Sequence, residues 1–258
     1  MIGCIIQART GSTRLPGKIM MKINDHDTVL SFGIKQVKFS KIIDEIVIAT
    51  TDLSEDQLIF DYMKKLNISC FRGKSKDVLD RYYQCAKKFS FSTIVRITSD
   101  CPLIDPTIID EIVSNFLKNN KYDYLSNVHP IRTSPDGTDV EVFSFESLEK
   151  AWKEAQKPSE REHVTPYLYT DNNFRVGTFN NFQDHSEFRW TVDYKEDLDL
   201  IRKIVNLIPT RPILMKNILD LFLQFPELPK INQNVPINEG YLKSAKEDEE
   251  FLNSNKSK

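Results

Sequence analysis

The segment QARTGSTRLPGK, residues 7–18, gathers Arg9, Arg14 and Lys18 around Gly11, Gly17 and the hydroxyls of Thr10, Ser12 and Thr13. The chemistry this suits is the binding of a polyanion. Guanidinium groups grip phosphate oxygens in pairs, and an ammonium adds a compact point charge. Backbone N–H groups in a glycine-containing turn form an anion-binding concavity, and Pro16 stiffens the loop. No acidic residue stands between Gly3 and Asn24 to neutralise these cations. Three cations in so short a stretch match a triphosphate. The alternative is a solvated basic loop. It gives no reason for the cations to follow directly on the apolar run MIGCII. The segment is neither GxxxxGK[ST] nor GxGxxG, so neither the P-loop nor the dinucleotide-binding fingerprint applies.

A bound triphosphate usually brings Mg²⁺, which takes hard oxygen ligands. Asp100 follows TIVRITS and Asp193 closes RWTVD, both strand-like runs. Two aspartates at strand ends, far apart in sequence, can converge on one metal. The alternative for each is turn formation or helix capping. Asp105, before Pro106, is expected to cap a helix.

Three further polar concentrations are less specific. Arg72, Asp77, Asp80 and Arg81 lie between the end of ISCFRG and the helical DVLDRYYQ. Arg81 is either a solvated helix residue or part of a nucleotide site. HPIRTSPDGTDVEV carries His129, Arg132, Asp136, Asp139 and Glu141, and also reads as a polar loop entering a hairpin. SEREH carries Arg161, Glu162 and His163, and Ser159 with Glu162 also fits a capping box. The four histidines lack the spacing of a zinc site. No GxSxG or Cys/His nucleophile signature is present.

The elements that must position these residues can be read from periodicity. GCIIQ, EIVIATT, ISCFRG and TIVRITSD read as strands. TVLSFGIKQVKF, EDQLIFDYMKKL, KDVLDRYYQCAKKF and PTIIDEIVSNFLKN alternate with them as helices. This rhythm predicts an α/β fold, a mostly parallel sheet with helices on both faces. Ligands then bind beyond the carboxyl ends of the strands, where residues 8–18 and Asp100 belong. After about residue 120, YDYLSN, DVEVFSF, FRVGTF and EFRWTVD read as strands of a mixed, partly antiparallel extension. SLEKAWKEAQ and EREHVTPYLY lie between them as helices. KEDLDLIRKIVNLI and ILMKNILDLFLQF follow as amphipathic helices. One domain over residues 1–235 is expected, with residues 236–258 as a charged tail fraying at its end.

Composition bounds the rest. The 258 residues are 40% hydrophobic and 28% charged, with a formal net charge of −2. A general nucleic-acid binder would carry a large positive excess. Cys4, Cys70, Cys85 and Cys101 form no metal spacing, and Cys4 and Cys70 are expected as buried free thiols. The start MIGCIIQA lacks the basic n-region and the apolar length of a signal peptide. No segment approaches the length of a membrane span. A reduced, cytoplasmic protein without nucleic-acid or membrane partners is the expectation.

IIQARTGSTRLPGK resembles the N-terminal signature of the cytidylyltransferases that activate acidic sugars, the acylneuraminate and 3-deoxy-manno-octulosonate enzymes. RITSDCPLIDP resembles their metal-aspartate segment, and DVLDRY their Asp-Arg pair. PDGTDVEVF, EREHVTPYLY and RWTVDYKEDL resemble the branch called spore coat polysaccharide biosynthesis protein F-like. The likeness runs to about residue 205, with a weaker echo in NEGYLKS. It implies a nucleotidyltransferase-type, Rossmann-like fold, with CTP as a substrate and Mg²⁺ as cofactor. Ala8, Arg9, Gly11, Ser12, Arg14 and Lys18 would hold the nucleotide, with Arg72, Asp80 and Arg81 near the cytidine. Asp100 and Asp193 would hold the metal, and Arg9, Arg14, Lys18 and Asp100 would be catalytic. The second half would supply a homodimer interface and a pocket for a small anionic acceptor. His129, Arg132, Asp136, Asp139, Glu141, Arg161 and His163 are the candidates for that pocket. The acceptor stays open between a nonulosonic acid, another carboxylated sugar and a phosphonate. A nucleotide-sugar-dependent glycosyltransferase and a non-catalytic nucleotide-binding scaffold are the alternative functions.

Overall fold

The computed structural model describes residues 1–119, 121–180, 183–236 and 239–256. Its first half alternates strand and helix as the periodicity predicts. β1 (Ile2–Gln7), β2 (Glu45–Thr51), β3 (Ser69–Gly73) and β4 (Thr93–Thr98) are separated by α1 (Val29–Val37), α2 (Gln57–Lys65) and α3 (Val78–Lys88). After α4 (Pro106–Asn119) come β5 (Tyr124–Ser126), β6 (Glu141–Ser144), α5 (Phe145–Glu154), α6 (Pro158–His163), α7 (Pro166–Thr170) and β7 (Val176–Thr178). α8 (Lys195–Leu207), α9 (Met215–Gln224) and α10 (Glu239–Lys256) complete the order. The strands form one seven-stranded sheet in the order β3-β2-β1-β4-β6-β5-β7. β1 to β4 pair in parallel, and β6 runs antiparallel to both β4 and β5.

Burial explains the layers. Alternate strand residues feed the two faces. Cys4, Ile6, Ile48, Val95 and Ile97 meet α1, α2 and α4 on one side. Ile5, Val47, Ala49 and Ile94 meet α3 and α5 on the other. β1 is apolar on both faces because it lies between two parallel strands and two helical layers. A third cluster joins α8 and α9 to Trp190 and Val192. Local caps fix helix starts. Thr28 accepts from Ser31 at α1, and Asp77 from Asp80 at α3. Asp105 accepts from Thr107 N at 2.8 Å at the start of α4, as its position before Pro106 predicts.

The chain steps outward from β1 through β2 to β3, and α3 then carries it back to the other side of β1. β1 and β4 therefore flank a topological switch point, and the crevice beyond their carboxyl ends is the expected ligand position. Gln7 and Thr98, the last residues of the two strands, are paired in register there.

Two sequence expectations change. RWTVD is not a strand among the described residues. Its Arg189 makes only an isolated bridge to Asp136, and Val192 N donates to Asp100 O at 2.8 Å. Asp193 is thus held near Asp100 by a loop laid across it. The charged tail, read from the sequence without a helix, carries α10, which packs on α6. Residues 257–258 lie outside the described residues. Cys4 is buried and Cys70 half-buried, both as free thiols. No helix among the described residues is long and apolar enough to cross a membrane.

Candidate active site

Residues 8–18 leave β1 at the switch point and are tied down from beneath. Thr10 donates through its backbone N and its Oγ1 to Oδ1 of Asp56, each at 2.7 Å. Asp56 is buried at the end of the 3₁₀ turn that precedes α2. The Ser12 hydroxyl accepts from Leu15 N at 3.3 Å, closing the turn from within. Gly17 takes the left-handed conformation at φ 70°, with nothing within 4 Å of where a Cβ would stand. Its requirement is conformational alone. Gly11 needs no such conformation. A 3₁₀ turn over Lys18–Met20 follows Gly17 and turns Lys18 inward.

Lys18 is 7% exposed and ends between two carboxylates. Its Nζ lies 2.6 Å from Asp100 Oδ2 and 2.7 Å from Asp193 Oδ1. Arg14 donates to the same Asp193 oxygen at 2.5 Å. Burial would push Asp100 up, but Lys18 outweighs it and holds the carboxyl at about 2. Burial would lower Lys18, and the two aspartates reverse this and raise it. Both charges are therefore fixed at neutral pH. The two aspartates converge as the sequence predicts, and a cation of the chain itself sits between them.

A cleft of about 390 Å³ opens over this pair. Ala8, Arg9, Gly11, Ser12, Arg14, Lys18, Arg81 and Asp100 all line it, as expected from the sequence. Arg9 reaches Glu162 of α6 at 3.5 Å. Arg81 is 2% exposed, and its Nε has no partner although one other nitrogen donates to Lys74 O at 2.9 Å. Burial lowers its pKa. A buried cation with an open donor on a cleft wall suits an anionic or carbonyl-bearing ligand.

Two nucleotide candidates lie elsewhere. Arg72 donates to the carbonyls of Thr51 and Leu53 at 3.0 Å each and to Gln57, which locks the β2–α2 connection. Asp80 accepts from Trp152 Nε1 at 2.8 Å and from Gln84 at 3.1 Å. Burial would raise it, but these bonds and Lys74 hold it low. Both side chains are engaged within the fold, and neither lines the cleft.

The seven acceptor candidates divide. His163 lines the cleft. Arg132 forms a two-pronged pair with Asp139 at 2.5 and 2.8 Å. Asp136 accepts from Arg189 at 2.5 Å. Burial and the neighbouring Asp139 push Asp136 up to about 6, against the pull of Arg132 and Arg189. Glu141 is a framework residue. On β6 it pairs with Arg96 of β4 and accepts from Tyr124 at 2.7 Å and Thr165 at 2.6 Å. Arg161 is spent on Asp77 and the Trp152 carbonyl, joining α3 to α6. His129 stacks on Tyr169 with centroids 4.0 Å apart, and burial lowers its pKa. The expected Ser159–Glu162 capping box does not form. Glu160 accepts from Gln156 N and Lys157 N instead, which leaves Glu162 to face the cleft.

Arg189 was not singled out from the sequence. Its guanidinium reaches Asp136 at 2.5 Å, Asp193 at 2.7 Å and Asp197 at 3.1 Å. Asp197 is fully buried and accepts from Asp193 N at 2.9 Å. Gly137, at φ 104°, lets the 136–139 turn press on residues 190–191, where a Cβ would meet Thr191 N at 2.5 Å. The signal available in the sequence was the excess of aspartates in PDGTD and TVDYKED, which need a shared cation. Ser244 was also missed. It enters the cleft from α10, the segment whose NEGYLKS run carried the weakest echo.

Comparison with known proteins agrees with this geometry. A family model described as cytidylyltransferase matches residues 3–246. The spore coat polysaccharide biosynthesis protein SpsF of Bacillus subtilis is 31% identical over 216 residues, covering 81% of this chain and 88% of that protein. A 3-deoxy-manno-octulosonate cytidylyltransferase of Chlamydia trachomatis is 30% identical over 180 residues, covering 64% and 66%. The solved structure of a cytidylyltransferase from Leptospira borgpetersenii superposes with a TM-score of 0.85 at 35% identity, covering 92% of this chain and 98% of that one. The fold is of nucleotidyltransferase type, and the chain belongs to the cytidylyltransferase family.

Proposed function

We propose that the protein transfers CMP from CTP to an acidic sugar or a related anionic acceptor, releasing pyrophosphate, in the assembly of a surface polysaccharide or glycan. One observation carries the reading: Arg9, Arg14 and Lys18 share a cleft with Asp100 at the carboxyl ends of β1 and β4, in a chain of this family. The names of the Bacillus and Chlamydia relatives support a sugar-like acceptor and the pathway class.

In the proposed reaction an acceptor hydroxyl gives its proton to solvent and its oxygen forms a bond to the α-phosphorus. The bond from that phosphorus to the bridging oxygen breaks, and pyrophosphate leaves in line. The chain's part is positioning and charge neutralisation. Arg9, Arg14 and Lys18 would offset charge on the departing pyrophosphate. Arg81 would meet the nucleoside side of the ligand. Of the acceptor candidates, His163 stands on the cleft wall, while Arg132 and Arg189, paired with Asp136, Asp139, Asp193 and Asp197, would order the loops behind it.

Asp100 and Asp193 fit Mg²⁺. In this structure the Lys18 ammonium lies between them, so an ion would take that place as Lys18 turns to the phosphates. Among the described residues no group of three or more His, Cys, Asp or Glu forms an all-protein cage. Mg²⁺ usually binds one or two carboxylates and completes its shell with water and substrate phosphates. When bound it would neutralise phosphate charge and polarise the attacking oxygen. The free cysteines suit a reducing, cytoplasmic setting, and family resemblance supports a homodimer.

The deciding experiment is pyrophosphate release with CTP, UTP, ATP or GTP, plus Mg²⁺ and a panel of acidic sugars and phosphonates. Release with CTP and one acceptor supports the proposal and names the acceptor. Release of a nucleoside diphosphate from a nucleotide-sugar overturns it.

A further inference from the structure

We infer that the C-terminal helix α10 is part of the nucleotide site, and that Ser244, through His163, positions the nucleoside rather than the phosphates. This rests on the reading of the cleft as a nucleotide site.

Ser244 is 3% exposed and lines the same cleft as the 8–18 loop. Its Oγ lies 2.7 Å from Nε2 of His163, 81 residues away in sequence. A second contact docks the helix. Asp248 accepts from Ser159 N at 2.9 Å and from Ser159 Oγ at 2.5 Å. α6 in turn packs on α3. Three helices thus build one wall in succession. α3 gives Arg81, α6 gives Glu162 and His163, and α10 gives Ser244.

The charge along the cleft is uneven. Arg9, Arg14 and Lys18 belong to the loop, where a triphosphate is neutralised. The α6–α10 wall offers a hydroxyl and an imidazole beside the Glu162 carboxylate, which Arg9 meets at 3.5 Å, and burial lowers the pKa of that imidazole. The cleft also contains Gln7, whose Oε1 is buried with no partner. A buried acceptor without a donor is costly, and a sugar hydroxyl or an exocyclic amine would satisfy it. Neutral donors and acceptors of this kind match a nucleoside and are poor competitors for phosphate.

The test measures CTP binding by titration calorimetry, with Mg²⁺ present throughout. The proteins are the full chain, Ser244→Ala, Asp248→Ala and a chain ending at residue 236. Tripolyphosphate serves as the second probe. Ser244→Ala and Asp248→Ala should each weaken CTP binding about threefold to tenfold, the range of one lost hydrogen bond. The shortened chain should weaken it more. Tripolyphosphate should bind all folded variants alike, because its partners are Arg9, Arg14 and Lys18 of the loop; a helix that only supports the fold would not separate the two probes. Unchanged CTP binding in both point variants overturns the inference, as does a parallel loss of tripolyphosphate. The point variants decide if the shortened chain fails to fold. If the full chain binds another nucleoside triphosphate in place of CTP, the cytidylyl reading falls, and that nucleotide judges the helix. If it binds tripolyphosphate and no nucleotide, both readings fall.

Discussion

The Nζ of Lys18 and the Oδ2 of Asp100 stand 2.6 Å apart although 82 residues separate them in sequence. The pair spans the switch point of the sheet, one partner from the loop after β1 and the other from the end of β4. Asp193 completes it from a third segment, at 2.7 Å from the same Nζ. A cation is thereby held where a triphosphate would enter, with its protonation fixed by two carboxylates.

Lys18→Ala should lower turnover by about 10²–10³, the usual loss when one charge-stabilising contact is removed. Stability should fall too, because Asp100 loses its ion-pair partner while Asp193 keeps Arg14 and Arg189. The loss should be about 1–3 kcal/mol, the cost of a buried polar group left unpaired. Urea unfolding and pyrophosphate release on the same variant measure both. Turnover close to the unaltered enzyme would take Lys18 out of the mechanism.

Arg189 should matter more to stability than any cation of the loop. It is 10% exposed on its side chain and serves three carboxylates, one of them fully buried. Removing one partner of a buried ion pair costs roughly 3–5 kcal/mol. Arg189→Ala should therefore unfold at distinctly lower denaturant. Arg189→Lys should recover only part, since an ammonium cannot present the planar fork. A variant as stable as the unaltered protein would mean that the three carboxylates find other partners.

Glu141 was an acceptor candidate on sequence grounds, and its position predicts otherwise. It meets Arg96 across the sheet and takes hydrogen bonds from Tyr124 and Thr165. Glu141→Gln should lower the melting temperature, with KM for CTP and for acceptor little altered. A selective rise in the acceptor KM at unchanged stability would restore the original role.

What could be read from the chain follows from how local each signal is. The β–α rhythm was legible because apolar periodicity is a property of neighbours, and β1 to β4 and α1 to α4 lie where it put them. The loop cations and Asp100 were legible because they adjoin strand ends. RWTVD misled because alternation of apolar residues describes burial on one side, which a loop packed under α8 and α9 shares with a strand. Arg72, Glu141 and Arg161 misled because a polar side chain near a strand end can face a ligand or its own fold. Only the third dimension shows which carbonyl or carboxylate consumes it. Ser244 was out of reach because its partner lies 81 residues away on another helix.

Asp136 gives a pH dependence of definite sign. Burial pushes its carboxyl up to about 6, Asp139 and Asp100 push the same way, and Arg132 and Arg189 oppose them. A free aspartate titrates at about 3.9. The folded protein therefore holds this proton more tightly than the unfolded chain. The stabilisation is complete below about pH 4 and is lost as pH rises through about 6. Asp136→Asn carries no such proton. Between pH 4.5 and 7.5 the unaltered protein should lose roughly 1–3 kcal/mol relative to that variant, the linkage expected for a shift of about two units. Urea unfolding of both proteins across this range measures the difference directly. A difference that stays flat, or that grows in favour of the unaltered protein as pH rises, would show that Arg189 and Arg132 hold Asp136 ionised throughout.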